Sequence, residues 1–183
     1  MNSYLFLDFA GKTHKRVCRK IMCRLAVSLA QCLEGTLDYI GMGSLFYEDF
    51  LMFYASGCIR NMTSIECMLD RDGEFDELKY RRFLLNRPYD SIRLLPLTVR
   101  EAVDQLSFDE NCLVWFDYDS TIKRETIEDI AEVIRKAKKT CMLASCTGTQ
   151  IAYGYKAERG TLDMEVVRSC FQDIFVQYRA KPG

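Results

Sequence analysis

The chain has 183 residues, 49% hydrophobic and 28% charged, with a net charge of −1 and one histidine, His14. That length and apolar share exclude global disorder and predict one domain with a sizeable core. No apolar run approaches the roughly 18–20 residues of a membrane-spanning helix, and positive charge follows the first apolar piece, the reverse of a secretory signal. A Ser-His-Asp triad or a Cys-His pair would have to use His14, so the histidine count steers any chemistry toward carboxylates and backbone donors. The nine cysteines are odd in number and form no CxxC pair. Most lie in apolar stretches, which predicts reduced, buried thiols in a cytoplasmic protein rather than a zinc site or disulfide framework.

In chain order, residues 1–24 hold six bases, Lys12, Lys15, Arg16, Arg19, Lys20 and Arg24, against Asp8, so the remainder is acidic. Their spacing of i, i+3, i+4, i+7, i+8 and i+12 places them on one face of a helix over about residues 12–34. Val17, Ile21, Leu25 and Leu29 recur at four-residue steps and predict its inward face. The basic face is either simply solvated or a surface for nucleic acid or a protein partner. TLDYIGMGS then reads as a strand and glycine turn. LFYEDFLMFYASG is helical by Phe46, Phe50, Phe53 and Tyr54, and Gly57 stops it. MTSIE is a short strand, CMLDRDGEFDELKYRRFLLN is partly helical, and Asn86-Arg87-Pro88-Tyr89 is a turn into the strand SIRLLPLT. VREAVDQL is a helix, and CLVWFDYD is an apolar run ending in acids, the mark of a buried parallel strand with Trp115 in the core. TIKRETIEDIAEVIRKAKK turns Ile127, Ile130, Val133 and Ile134 inward and its charges outward. TCMLASCTG is a further strand, and MEVVRSCFQDIFVQYRA a last helix.

This alternation predicts an α/β fold: a Rossmann-like, open, mostly parallel sheet with helices on both faces. The basic segment 1–34 packs on the domain formed by 35–183. Ligands of such sheets sit beyond the carboxyl ends of the strands. There, Gly41-Met42-Gly43-Ser44 ends the first strand, where glycines admit close approach and free N–H groups. Glu66 ends the second, 23 residues after Gly43, the spacing at which an acid accepts ribose hydroxyls. Asp117-Tyr118-Asp119 ends the fourth. Alternation puts Asp117 and Asp119 on one side and Tyr118 on the other. Those two acids could serve as a base or, together, hold Mg²⁺ or Ca²⁺, or cap and solvate the next helix.

At these residues the chain resembles the class I S-adenosylmethionine-dependent methyltransferases over about residues 35–150. YIGMGSLFYEDF, MTSIE and VWFDYD are most similar to a little-characterised bacterial O-methyltransferase-like group. The resemblance implies that Tyr39, Gly41, Gly43 and Ser44 line the methionine part of S-adenosylmethionine and that Glu66 holds its ribose. It also implies that Thr98 lies beside the adenine, and that Asp117, Tyr118 and Asp119 face the methyl group and the acceptor. Two positions depart from the pattern. Tyr39, with Asp38 one step earlier, stands where the family has an acid that helps bind the cofactor, and Leu45 replaces the third glycine. A bulge could bring Asp38 in.

Two other readings remain open. One is a non-catalytic subunit of this fold, in an oligomer or complex, docking through the basic helix on nucleic acid or protein. It gains from the altered loop and from the 33 residues after Gln150, few for the two antiparallel strands that usually close the methyltransferase sheet. The sheet would then end early or be covered by a partner. The other is a haloacid dehalogenase-like phosphatase, because FDYDSTI matches its first motif. Asp117 would be nucleophile and Asp119 acid, with Ser145 or Thr147 and Lys156 at the phosphate.

Overall fold

The computed structural model describes residues 13–118, 123–139 and 141–147. The elements are α1 (Thr13–Cys32), β1 (Leu37–Gly41), α2 (Glu48–Ser56), β2 (Ile59–Ile65), α3 (Glu77–Asn86), β3 (Ile92–Leu95), α4 (Val99–Gln105), β4 (Cys112–Tyr118), α5 (Arg124–Lys136) and β5 (Cys141–Thr147). The five strands form one sheet in the order β3-β2-β1-β4-β5, and each neighbouring pair is parallel. Strand order reverses between β1 and β4, which opens a crevice above their carboxyl ends.

Both faces of the sheet are covered, so β4 needs apolar side chains at successive positions rather than alternating ones. Leu37, Tyr39, Met62, Leu113 and Trp115 pack against Ala26 and Ala30 of α1, Phe50 and Phe53 of α2, and Phe83 of α3. Ile40, Ile65, Leu95, Val114 and Phe116 pack on the other face against Ala102 and Val103 of α4 and Val133 of α5. Trp115 is a core residue, its ring edge-on to Phe53 at 6.4 Å. The turn at Asn86–Tyr89 is as read from the sequence: the Arg87 guanidinium donates to the Ile92 carbonyl at 3.0 Å.

Tertiary packing changes several details. Val17, Ile21 and Leu25 are about half exposed, at 49%, 52% and 49%, and α1 instead buries Ala26 and Ala30. Only Leu29 of the four-residue row joins the core, beside Met22, Cys23, Val27 and Leu33. The small alanines let the helix approach the sheet closely. Its rotation is completed by Arg19, which leaves the basic face to pair with Glu48 at the start of α2 at 2.5 Å. Cys58 and Cys112 are buried, but Cys18, Cys32 and Cys67 are exposed, so the thiols are not uniformly core. The rotation of α1 leaves Cys18 and Cys32 outside, and Cys67 lies in the loop after β2. Helix α2 begins beyond Phe46 because Ser44 and Tyr47 adopt left-handed φ values of 49° and 50°. Gly57, at φ 69°, ends it and donates to the Tyr54 carbonyl. In α5, Asp129 is buried rather than outward. The side chains of Lys12 and Lys15, the last helix and the closing strands of the sheet lie outside the described residues.

These packing roles differ in energetic weight. Leu113→Ala should cost about 3 kcal/mol and Ile21→Ala less than about 1 kcal/mol in urea denaturation, because only the first removes atoms from a closed core. Equal losses would contradict the orientation of α1.

Candidate functional site

The crevice is built from beneath by Tyr39. Its side chain leaves β1 on the α2 face, wholly buried, and runs forward under the glycine loop. A Cβ on Gly41 would lie 2.6 Å from Tyr39 Cζ and nearer still to its hydroxyl. That hydroxyl donates to Asp49 Oδ2 in the first turn of α2. Phe50 and Phe53 wall the ring, with centroids at 4.7 and 4.4 Å. Gly43 is equally confined: a Cβ there would lie 2.7 Å from Ser64 Oγ and 2.8 Å from the Tyr47 ring. Both glycines are therefore required by the side chains packed under the loop.

The loop N–H groups also have internal partners. Gly43 N–H donates to Ser64 Oγ at 3.2 Å, and Ser44 N–H donates to Glu66 Oε1 at 2.7 Å. These donors, expected to face a ligand, are engaged by the end of β2 instead. Glu66 lies one residue past that strand, and its own N–H donates to the Leu95 carbonyl at 3.0 Å. Loop, β2 and β3 are thus tied together at their carboxyl ends.

Carboxylates crowd this point. Burial pushes Glu66 up to about 7, and Asp49 adds to the rise, while the Ser44 N–H and Lys79 oppose it. Burial likewise pushes Asp49 up to about 6 against the Tyr39 hydrogen bond and Arg19. Tyr39 is held well above the usual phenol range by burial and Asp49, with Arg19 opposing and Asp117 contributing. Asp117 follows Leu113 and Trp115 in alternation, on the face that carries Tyr39. The nearby cations have other partners: Arg19 pairs with Glu48, and Lys79 Nζ donates to the Cys67 carbonyl at 2.5 Å.

Other residues singled out from the sequence lie elsewhere. Asp38 is at the amino end of β1, gripped by Arg60 Nε and Nη2 at 3.1 Å and by Asn61 Nδ2 at 2.9 Å. The register does shift between Leu37 and Asp38. Those three bonds still keep Asp38 away from the loop, so it does not replace the absent strand acid. Tyr118 points to the opposite face, where its hydroxyl donates to buried Asp129 at 3.2 Å and Arg100 Nε stands 3.6 Å from the other oxygen. Thr98 caps α4 in a capping box: it accepts from Glu101 N–H at 3.3 Å and donates its hydroxyl to Glu101 at 2.7 Å. Asp119 lies outside the described residues. Among the described residues, no three His, Cys, Asp or Glu side chains are grouped to hold a metal ion. Sequence reasoning missed Asp49 and Ser64. The available signal for Asp49 was an acid in the first turn of a helix that opens beside the loop, which by itself suits the helix dipole.

A parallel sheet in the order β3-β2-β1-β4-β5, with a glycine loop after β1 fastened to an acid after β2, defines a Rossmann-like protein whose site lies at the switch point. The chain belongs to the family described as "Putative O-methyltransferase", whose sequence profile matches residues 7–180. No curated protein and no solved structure matches it. Family membership leaves the phosphatase reading without support.

Asp49 is buried and Glu66 partly so, and the fold favours the neutral form of each. Their contribution to stability is present below their unfolded pKa values, near 4, and is lost as pH rises through about 6 and 7. The ligand-free protein should therefore melt at a lower temperature at pH 8 than at pH 5.5, and Glu66→Gln should flatten that profile. A melting temperature rising across this window would contradict the arrangement. Gly43→Ala should cost about 1–3 kcal/mol in chemical denaturation by overpacking against Ser64 and Tyr47.

Proposed function

We propose that the protein is an S-adenosylmethionine-dependent O-methyltransferase whose cofactor lies across the carboxyl ends of β1, β2 and β4. The observation that carries this reading is Glu66, a partly exposed carboxylate held just past the end of β2 by the loop's Ser44 N–H. A carboxylate so placed can accept from a ribose diol, which presents two donors side by side. The donor set suits the cofactor as a whole, because acids around Gly41 favour a ligand carrying positive charge. Tyr39, Gly41, Gly43 and Ser44 form the wall at its amino acid end, Glu66 holds the ribose, and Thr98 borders the adenine.

When bound, the cofactor supplies an electrophilic methyl group on a sulfonium. What remains for the chain is alignment of an acceptor hydroxyl and removal of its proton. Asp117, on the face of β4 that carries Trp115, is the base in this reading, with Asp119 as the second candidate. Tyr118, anchored to Asp129 on the other face, holds the end of β4 so that Asp117 is presented to the crevice. Exposed thiols at Cys18, Cys32 and Cys67 suit a reducing, cytoplasmic setting. No helix of the described residues is long and apolar enough to cross a membrane.

Thermal shift tests this reading. S-adenosylmethionine or S-adenosylhomocysteine at 100 times its dissociation constant should stabilise the protein by about 2.7 kcal/mol. Glu66→Ala should abolish the shift. Absence of any shift with both compounds would sink the assignment. The binding-subunit alternative rests on the exposed row Arg16, Lys20 and Arg24. It predicts a steeply salt-dependent nucleic acid affinity that disappears when those three charges are reversed.

A further inference from the structure

Helix α1 carries two apolar faces. The inner one holds Ala26 and Ala30 with Met22, Cys23 and Leu33 and packs against the sheet. Its rotation is fixed by Arg19, paired with Glu48 of α2, and by the Cys23 thiol, which donates to the Met52 carbonyl at 3.9 Å. The outer row, Val17, Ile21 and Leu25, therefore cannot turn inward and stands about half exposed. Each member of that row follows a base. Arg16, Lys20 and Arg24 thus form a second exposed row beside it, at the same four-residue step. Several exposed cations elsewhere have acids to hold: Arg60 pairs with Asp38, Lys138 with Asp109 and Lys139 with Glu110. Arg16, Lys20 and Arg24 pair with no acid among the described residues. An apolar row and an unpaired basic row, side by side on a helix fixed from behind, are two halves of one surface.

We propose that the outer face of α1 docks an amphipathic helix of a protein partner. The partner's apolar residues cover Val17, Ile21 and Leu25, and its acids, on one flank, pair with Arg16, Lys20 and Arg24. The charges choose between occupants. Nucleic acid would answer the bases but set three aliphatic side chains against phosphates, with no apolar contact in return. An anionic bilayer meets both flanks of an interfacial helix alike. Here the described bases lie on one flank only, Cys18 and Cys32 are exposed on the other side, and the rest of the chain is acidic. A second copy packed antiparallel would bring basic flank against basic flank. A helix with acids beside its apolar row satisfies both rows at once, in the way flanking charges set partner and orientation in paired helices. From Arg16 to Leu25 the helix rises about 14 Å, so roughly three turns of partner are enough.

Fluorescence anisotropy with a labelled synthetic peptide of about 20 residues, long enough to be helical alone, tests this. Its leucines and glutamates stand in adjacent rows at four-residue steps. A scrambled peptide of the same composition, duplex DNA and phosphatidylglycerol vesicles are the comparisons. The wild type should bind the patterned peptide at least about tenfold more tightly than the scrambled one. Ile21→Ser should weaken that binding at least about tenfold. The triple variant Arg16→Glu, Lys20→Glu, Arg24→Glu should weaken it at least as much, about tenfold or more, and abolish its salt dependence. All four side chains are exposed, so the variants keep the fold. A wild type that does not prefer the patterned peptide overturns the proposal. So does a loss on charge reversal with none in Ile21→Ser, which would make the face an electrostatic surface alone. Tighter binding of DNA or vesicles through the same three bases, or a dimer in analytical ultracentrifugation that Ile21→Ser dissociates, gives the face to another occupant and overturns it equally.

Discussion

The Tyr39 side chain beneath Gly41 is the constraint from which the crevice is built. A tyrosine on a central strand must bury its ring and still find a partner for its hydroxyl. The ring is buried between Phe50 and Phe53, and the hydroxyl meets Asp49. That single placement leaves no room for a side chain at residue 41. It also brings in a second acid, close enough to disfavour ionisation of Glu66. Gly43 repeats the logic one step on, confined by Ser64 and Tyr47.

The glycines thus answer first to what lies under them, and the loop N–H groups answer to β2. A ligand here would meet a preorganised wall: a backbone already fastened by Ser64 and Glu66, with carboxylates behind it. The same fastening links the stability of the empty protein to proton uptake by buried acids. A rise in pH drives both acids toward the ionised state that their surroundings disfavour.

Much of this could be read in the chain. The apolar run CLVWF, ending in acids, marks a doubly covered strand because period-two alternation is absent. Gly41, Gly43 and Glu66 fall at strand ends because turn chemistry and strand length are local properties. The four-residue row of α1 misled because helical period identifies faces but not which face is buried. Three aliphatic side chains lost to two alanines and Arg19 once close approach to the sheet and the ion pair with Glu48 were available. Asp129 was misplaced for a related reason: a charge on an amphipathic helix reads as outward until a tyrosine hydroxyl and an arginine come from neighbouring elements to receive it.

The alternation of strands and helices and the glycine and acid positions are determined by the sequence alone, because hydrophobic period and turn preference act within a few residues. The rotation of α1, the exposure of Cys18 and Cys32, the engagement of the loop N–H groups and the meeting of Asp49 with the Tyr39 hydroxyl are decided only in the folded molecule. Each depends on which distant side chain fills a given space or satisfies a given hydrogen bond, and that pairing exists only after the sheet has brought β1, β2, β4 and α2 together.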